Sequence, residues 1–422
     1  MSTLAERLRG MIGPAEHSPA ARDAWSDVEG QPLRRADIAE LLEGEWRGSN
    51  GHSFLVVDRV YRPGYRHGRV SVADILPSAD GWSKLDLLTG LGGLKTRSIL
   101  FLDVETTGLA GGAGTYAFLI GCGWFEDATF RVRQLFLSSY AAERLMLDAV
   151  AEIARGAGVL ATYNGKSFDV PLIETRFVLH RLEPPFAATA HLDMLHPARR
   201  LWSQDGDAPG NTCRLGMLEE RLLGHLREDD VSGFEIPSRY FHYVRSGDAR
   251  PLCAVFEHNR LDILALAMIA ARAAQLLEDG PVAAKSAREA VGLGRIYERG
   301  GLISNARACY ARAAEMPADT LTHAEALRCG AVLARRERRY HDAAAGWRAL
   351  LHLPRCPAHL AREATEALAV HHEHRARDLE AARRFAMQTL QFNITRSRTE
   401  AVQHRLARLD RKLERAAEAA LF

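Results

Sequence analysis

The chain has 422 residues, 47% of them apolar and 26% charged, close to the averages of folded soluble proteins, which excludes wholesale disorder, a collagen-like fibre and a disulfide-dense mini-protein. At roughly 100 to 200 residues per domain, this length implies two to four domains. The net charge of +2 conceals a split, because residues 1–280 sum to −7 and residues 281–422 to +9; fifty of the 55 basic residues are Arg, a bias that a GC-rich genome produces without any phosphate recognition.

In chain order, residues 1–13 carry Glu6, Arg7 and Arg9 and lack a secretory apolar core. The longest uncharged apolar runs, such as residues 116–125, fall well short of the roughly 20 that span a bilayer, so the sequence reads as cytoplasmic, with no membrane partner. The first region, residues 1–97, opens as a polar helix, continues as the strand-like SFLVVDRVY at residues 53–61, and then turns through Pro63, Gly64 and Gly68. It shows no chemistry. His52 and His67 have no carboxylate or cysteine at a fixed spacing and read as structural or surface residues. The six cysteines, at 122, 213, 253, 309, 329 and 356, form no Cys-x-x-Cys pair and read as small buried apolar groups.

From residue 98 to 279 short apolar strands alternate with helical segments. SILFLDV, TYAFLIGCGWF and TFRVRQLFL are followed by a helix at 141–155, the strand GVLATYN, a helix at 170–182, a strand at 190–195 and a long helix at 252–277. The order β-β-β-α-β-α-β predicts an antiparallel meander extended by parallel strands. This is an α/β arrangement with one mixed five-stranded sheet flanked by helices. After Gly280 and Pro281 the strands stop. Leu293, Gly294, Tyr297, Ala306, Tyr310, Ala313 and Pro317 follow the tetratricopeptide spacing. Ala306, Ala343 and Ala381 recur at intervals of 37 and 38, so residues 281–422 read as an all-α domain of tetratricopeptide-like repeats; generic Ala-rich helices are the plainer alternative.

Three segments carry chemistry. Asp103 and Glu105 sit two apart at the end of the first strand, where alternation puts both carboxylates on one face, a hard oxygen pair suited to Mg2+ or Mn2+. In YNGKSFDVPLI, Asp169 stands where a strand end turns into a helix and reads equally well as that helix's cap. In HNRLD, His258 and Asp262 share one face of the long helix. Each segment alone has a bland reading; the three in this order on these elements do not.

FLDVETTGL, YNGKSFDVPLI and HNRLD resemble the three exonuclease motifs of the DEDD superfamily, whose domains have the ribonuclease H-like fold. With HLDMLHPARRLW, EIPSRYFHYV and the helical tail, the whole is most similar to the YprB-type ribonuclease H-like family. The resemblance implies that Asp103, Glu105, Asp169 and Asp262 bind two Mg2+ or Mn2+ ions and that His258 is the general base of a two-metal phosphodiester hydrolysis. One feature departs from the pattern, since three residues separate His258 from Asp262 where the histidine subclass has four. Thr106, Asn164 and Lys166 are candidate substrate contacts, and Lys166 reads equally as a solvated turn residue. Asp193 reads as structural ahead of a supporting role at the metals. The expected function is a metal-dependent nuclease, foremost a 3'-5' exonuclease on single-stranded ends of DNA or RNA; the rival is an interaction scaffold with an inactive nucleic-acid-binding domain. The basic tail is expected to dock a protein partner in preference to tracking phosphates.

Overall fold

The structure is a computed structural model that describes residues 32–49, 51–76, 83–89, 98–108, 114–203, 213–392 and 395–419. The helical start expected at the beginning of the chain lies outside the described residues. The chain divides into two compact units, residues 1–199 with 203–278, and residues 200–202 with 279–422.

The first unit is built on a mixed sheet. Its strands are β1 (Glu45–Ser49), β2 (His52–Tyr61), β3 (Ile99–Thr106), β4 (Ala117–Glu126), β5 (Thr129–Phe136), β6 (Val159–Thr162) and β7 (Ala190–Asp193), in the spatial order β1-β2-β5-β4-β3-β6-β7. The pairs are antiparallel from β1 to β3, and β3-β6 and β6-β7 are parallel. The five expected strands are all present. The sheet has seven because β2, from the stretch that showed no chemistry, pairs onto β5 and carries β1 on its outer edge; the buried run Phe54, Leu55, Val56 and Val57 in β2 supplies the apolar surface that keeps it there.

Among the described residues, the helices of two turns or more in this part of the chain are α1 (Arg35–Leu42), α2 (Glu143–Ala154), α3 (Asp169–Leu179), α4 (Leu195–Trp202), α5 (Ile236–Ser246) and α6 (Leu252–Asp279). Tyr240 of EIPSRYFHYV is a core residue, stacked on Phe118 at 4.1 Å between ring centres and donating to the Leu137 carbonyl at 3.0 Å. Arg176 of α3 is held in a buried ion pair by Glu143 of α2, with Nε to Oε1 at 2.5 Å, and this ties down the helix that Asp169 begins.

The seating of α6 on β4 matters most. A Cβ on Gly121 would fall 2.3 Å from Asn259 Oδ1 and 2.3 Å from Ile263 Cδ1, and one on Gly123 would fall 2.5 Å from Ile263 Cγ2. The two glycines therefore make a saddle that only a missing side chain leaves open. Buried Gln134 of β5 locks it by donating to the Phe256 carbonyl at 2.8 Å and to Asn259 Oδ1 at 2.9 Å.

The second unit runs through α7 (Ala287–Arg299), α8 (Ile303–Glu315), α9 (Thr320–Arg336), α10 (Tyr340–Leu351), α11 (Ala358–His371), α12 (Leu379–Thr389) and α13 (Arg396–Ala419), each packed on the next. Ala306, Ala343 and Ala381 are buried. A Cβ on Gly294 would meet the Tyr310 ring at 2.5 Å, so the small residue and the aromatic fill one gap between α7 and α8, as the repeat pattern requires. All six cysteines are free thiols, four of them buried. Among the described residues no helix is long and apolar enough to cross a membrane.

Replacing Gly121 by Ala forces its methyl group into Asn259 and Ile263. The overpacking should cost roughly 1–3 kcal/mol. The expected readout is a lower thermal unfolding midpoint than for Gly216→Ala, a site where an added Cβ meets nothing within 4 Å.

Candidate active site

The three motifs meet at one end of the sheet. Asp103 and Glu105 are half-buried on β3 with buried Val104 between them, as strand alternation requires, and the register of β3 against β4 shifts at Glu105 and Thr106, where pairing ends. Thr106 does not reach towards the acids here; its hydroxyl donates to the Gly108 carbonyl at 3.0 Å.

Asp169 is the first residue of α3, and the cap position is Phe168, with no side-chain cap bond. The helix-cap reading of Asp169 is thus set aside. The turn before it is shaped by Asp193 at the end of β7, whose carboxylate accepts backbone N–H groups from Asn164 at 2.7 Å, Lys166 at 3.1 Å and Leu195 at 3.1 Å. Three donors on one buried carboxylate make Asp193 a clamp for the second motif. Asn164 takes the left-handed conformation (φ 68°), and Lys166 projects an exposed side chain.

Helix α6 supplies His258, Asn259 and Asp262. Asn259 is fully buried and donates from Nδ2 to Asp103 Oδ2 at 2.8 Å and to the Asp103 carbonyl at 3.2 Å, so strand and helix are bonded at the first acid. His258 Nδ1 donates to Asp230 Oδ1 at 2.7 Å, which leaves Nε2 as the free nitrogen, 3.7 Å from Asp262 Oδ2. Arg227 is almost wholly buried and divides its donors among Asp262 (2.6 Å), Glu219 (2.6 Å) and Asp230 (3.2 Å).

Sequence reasoning missed Asn259, Asp230 and Arg227. Asn259 sat inside a quoted motif; Asp230 and Arg227 lie in a charged loop with no periodicity to mark them.

Burial and the neighbouring Asp262 charge raise the Asp103 carboxyl to about 7. Burial and nearby carboxylates, Asp103 foremost, also push Glu105 and Asp169 well above the usual range. Burial works against a charged His258, but the Asp230 hydrogen bond and the charges of Asp262 and Glu105 outweigh it and bring the imidazole to about 9. The acids therefore crowd one another electrostatically. No three of them bring ligand oxygens within 4.8 Å, a separation that, among the described residues, only His67, Glu219 and His225 reach. Half-buried, mutually repelling hard oxygens are the donor set a divalent cation neutralises, so these residues fit such an ion.

The RNase_H superfamily model, RNase_H_2, matches residues 100–274, the stretch that carries every one of these acids. That stretch is similar to the RNase H superfamily, in keeping with the ribonuclease H-like mixed sheet of the first unit. Over 271 residues the chain is 31% identical to an uncharacterized protein, YprB, of Bacillus subtilis (strain 168). The match takes in 61% of this chain and spans 64% of that relative's length. A family B DNA polymerase from the hyperthermophilic archaeon Pyrobaculum calidifontis aligns with 70% of this chain and 50% of its own at 8% identity and a TM-score of 0.35.

The shifts fix a pH dependence for the chelated protein. Asp103 ionises near 3.8 when unfolded and about 7 when folded, so the folded state holds its proton more tightly and stability falls as pH rises through that window. His258, moved from 6.5 to about 9, contributes stability at low pH that is likewise lost as pH rises through 9. In EDTA the unfolding midpoint should therefore drop between pH 5 and 8. Mn2+ should raise it most at the upper end, and Asp103→Asn should flatten the slope; a midpoint constant with pH in wild type would contradict this electrostatic account.

Proposed function

We propose that the first unit is a divalent-metal-dependent phosphodiester hydrolase, a 3'-5' exonuclease acting on single-stranded ends, with Asp103, Glu105, Asp169 and Asp262 as metal ligands and His258 as general base. The supporting observation is that a histidine with one nitrogen pinned by Asp230 stands beside Asp262, in a site where burial and neighbouring carboxylates raise the proton affinity of Asp103, Glu105 and Asp169. Two Mg2+ or Mn2+ ions, when bound, would supply a hydroxide from water and stabilise the leaving oxygen of an in-line displacement at phosphorus. With bound ions offsetting the Asp262 and Glu105 charges that hold its proton, a neutral His258 would accept the proton of the attacking water at Nε2, and Asp230 keeps the ring oriented and stabilises the imidazolium that results. Asp193 holds the Asn164 and Lys166 turn, so that Asn164, Lys166 and Thr106 border the strand end where a substrate phosphate would lie.

We infer further that the second unit docks a protein partner rather than nucleic acid. The net excess of +9 stands after every acid of the unit is counted, but many of the Arg side chains are engaged internally, because Arg295, Arg328, Arg336 and Arg383 pair with Glu325, Glu363, Glu298 and Asp410, and Arg408 and Lys412 both bind Glu373. Paired guanidinium groups offer less to phosphates than their number suggests. Fluorescence anisotropy of single-stranded DNA and RNA across a salt series should give the same slope for the full chain and for a variant in which Arg335, Arg338 and Arg411 are changed to Gln; a clearly flatter slope in the variant would reverse this assignment.

The activity is tested with single-stranded DNA and RNA labelled at either end, in Mn2+. Ladders shortening from the 3' end are expected, with EDTA or Asp262→Asn abolishing them and His258→Ala slowing cleavage by roughly 10²- to 10⁴-fold. Asp230→Asn should lower the His258 proton affinity and move the acid limb of the rate profile to lower pH. Binding of both substrates with no cleavage under any divalent ion would instead establish the inactive scaffold.

A further inference from the structure

The short hairpin of Arg66–His67 and Val70–Ser71 lies against the turn Glu219–Leu223. The Arg69 N–H donates to the Leu223 carbonyl at 2.7 Å, and a Cβ on Gly68 (φ +60°) would fall 2.3 Å from the same oxygen, so the two backbones touch. This contact brings together three side chains distant in sequence. His67 Nε2 is 2.5 Å and His225 Nε2 4.0 Å from Glu219 Oε1, and the two imidazoles overlap at 3.9 Å between ring centres. His67 and Glu219 are fully buried, while the His225 side chain is 30% exposed.

A buried hydrogen bond between His67 and Glu219 accounts for part of this arrangement and leaves two features over. Glu219 is already neutralised on its other oxygen by Arg227 Nε at 2.6 Å, so it needs no second or third cationic side chain. The two imidazole rings, their centres 3.9 Å apart, nevertheless both turn a ring nitrogen towards that one carboxylate. His67 Nδ1, moreover, is buried without any partner.

We propose that His67, Glu219 and His225 form a second metal site, distinct from the four-acid site, that takes a transition ion of the zinc class. Two imidazoles with one carboxylate suit Zn2+ or Co2+ and not Mg2+, which prefers oxygen alone. Tetrahedral bonds of 2.0–2.1 Å place donors roughly 3.3 Å apart. The present 2.5 and 4.0 Å bracket that separation, so modest ring rotations complete the site, and the exposed edge of His225 gives the ion a way in. Arg227 on the outer oxygen is the kind of contact that fixes a ligating carboxylate. Because Arg227 also donates to Asp262 and Asp230, the ion would brace the loop that supports the four-acid site.

The test reads metal content and spectra and needs no activity, so it is independent of the nuclease reading. The full-length protein, free of any histidine tag and carrying Asp103→Asn and Asp262→Asn to disable the acid site, is loaded with Zn2+ or Co2+ in excess Mg2+ and desalted. About one ion per chain should remain, with the visible absorption of tetrahedral Co2+. His225→Ala, at the part-exposed ligand and so least harmful to folding, should lose both the ion and the absorption in a protein with unchanged circular dichroism; Glu219→Gln should do the same where it folds, and His52→Ala should lose neither. Failure of the parent to retain an ion, or equal retention after His225→Ala, would overturn the proposal and leave the cluster as a buried hydrogen-bonded pair.

Discussion

Four carboxylates brought to one end of a buried sheet repel one another, and the surrounding structure is arranged around that repulsion. Two unit charges 4 Å apart at an effective dielectric constant of 20 oppose each other by about 4 kcal/mol, more than a single hydrogen bond to a charged group returns, about 1.5–3 kcal/mol. Neutral donors such as Asn259 therefore cannot hold the acids in place alone. In the protein without ions the balance is met by protons, as the raised Asp103, Glu105 and Asp169 indicate, and by two cations, Arg227 on Asp262 and the protonated His258.

The geometry comes from two periodicities joined by one close contact. A strand presents Asp103 and Glu105 two residues apart on one face, and a helix presents His258 and Asp262 four apart on one side. Neither periodicity sets the distance between strand and helix. Gly121 and Gly123 do that, by admitting Asn259 and Ile263 against β4, and the hydrogen bonds from Gln134 to Asn259 and from Asn259 to Asp103 then fix the rotation of α6 about its axis. A buried polar pair spanning three elements gives a specific register that apolar packing would leave free to slide.

Much of this was legible in the sequence because local rules wrote it there. The strands at 98–104, 115–125 and 129–137 and the long helix follow from apolar periodicity, and the strand order follows from short links and crossovers. Two kinds of feature were not legible. The pairing of β2 with β5 joins segments about 75 residues apart, and no local pattern says which sheet edge an isolated apolar strand will occupy. Likewise His67 read as an isolated histidine because its carboxylate, Glu219, stands 152 residues away. The residues that support the acids escaped for the same reason: Asp230 meets His258 across 28 residues, and Arg227 meets Asp262 across 35.

Arg227 also bears on how the proposed metal site would be tuned. An ion at Asp262 and the guanidinium on Asp262 Oδ1 draw on the same negative charge, so each weakens the other by the same free energy. Were Asp262 the only partner of Arg227, ion binding would strand a buried cation, at a cost that would oppose binding. Glu219 and Asp230 prevent this, since both remain bonded to the guanidinium whichever way Asp262 turns. The arginine can thus neutralise the acid in the metal-free protein and give it up cheaply, and Asp230, freed of part of its claim on His258 by this shared cation, still keeps the imidazole oriented. Charge is exchanged at the site without leaving any partner uncompensated.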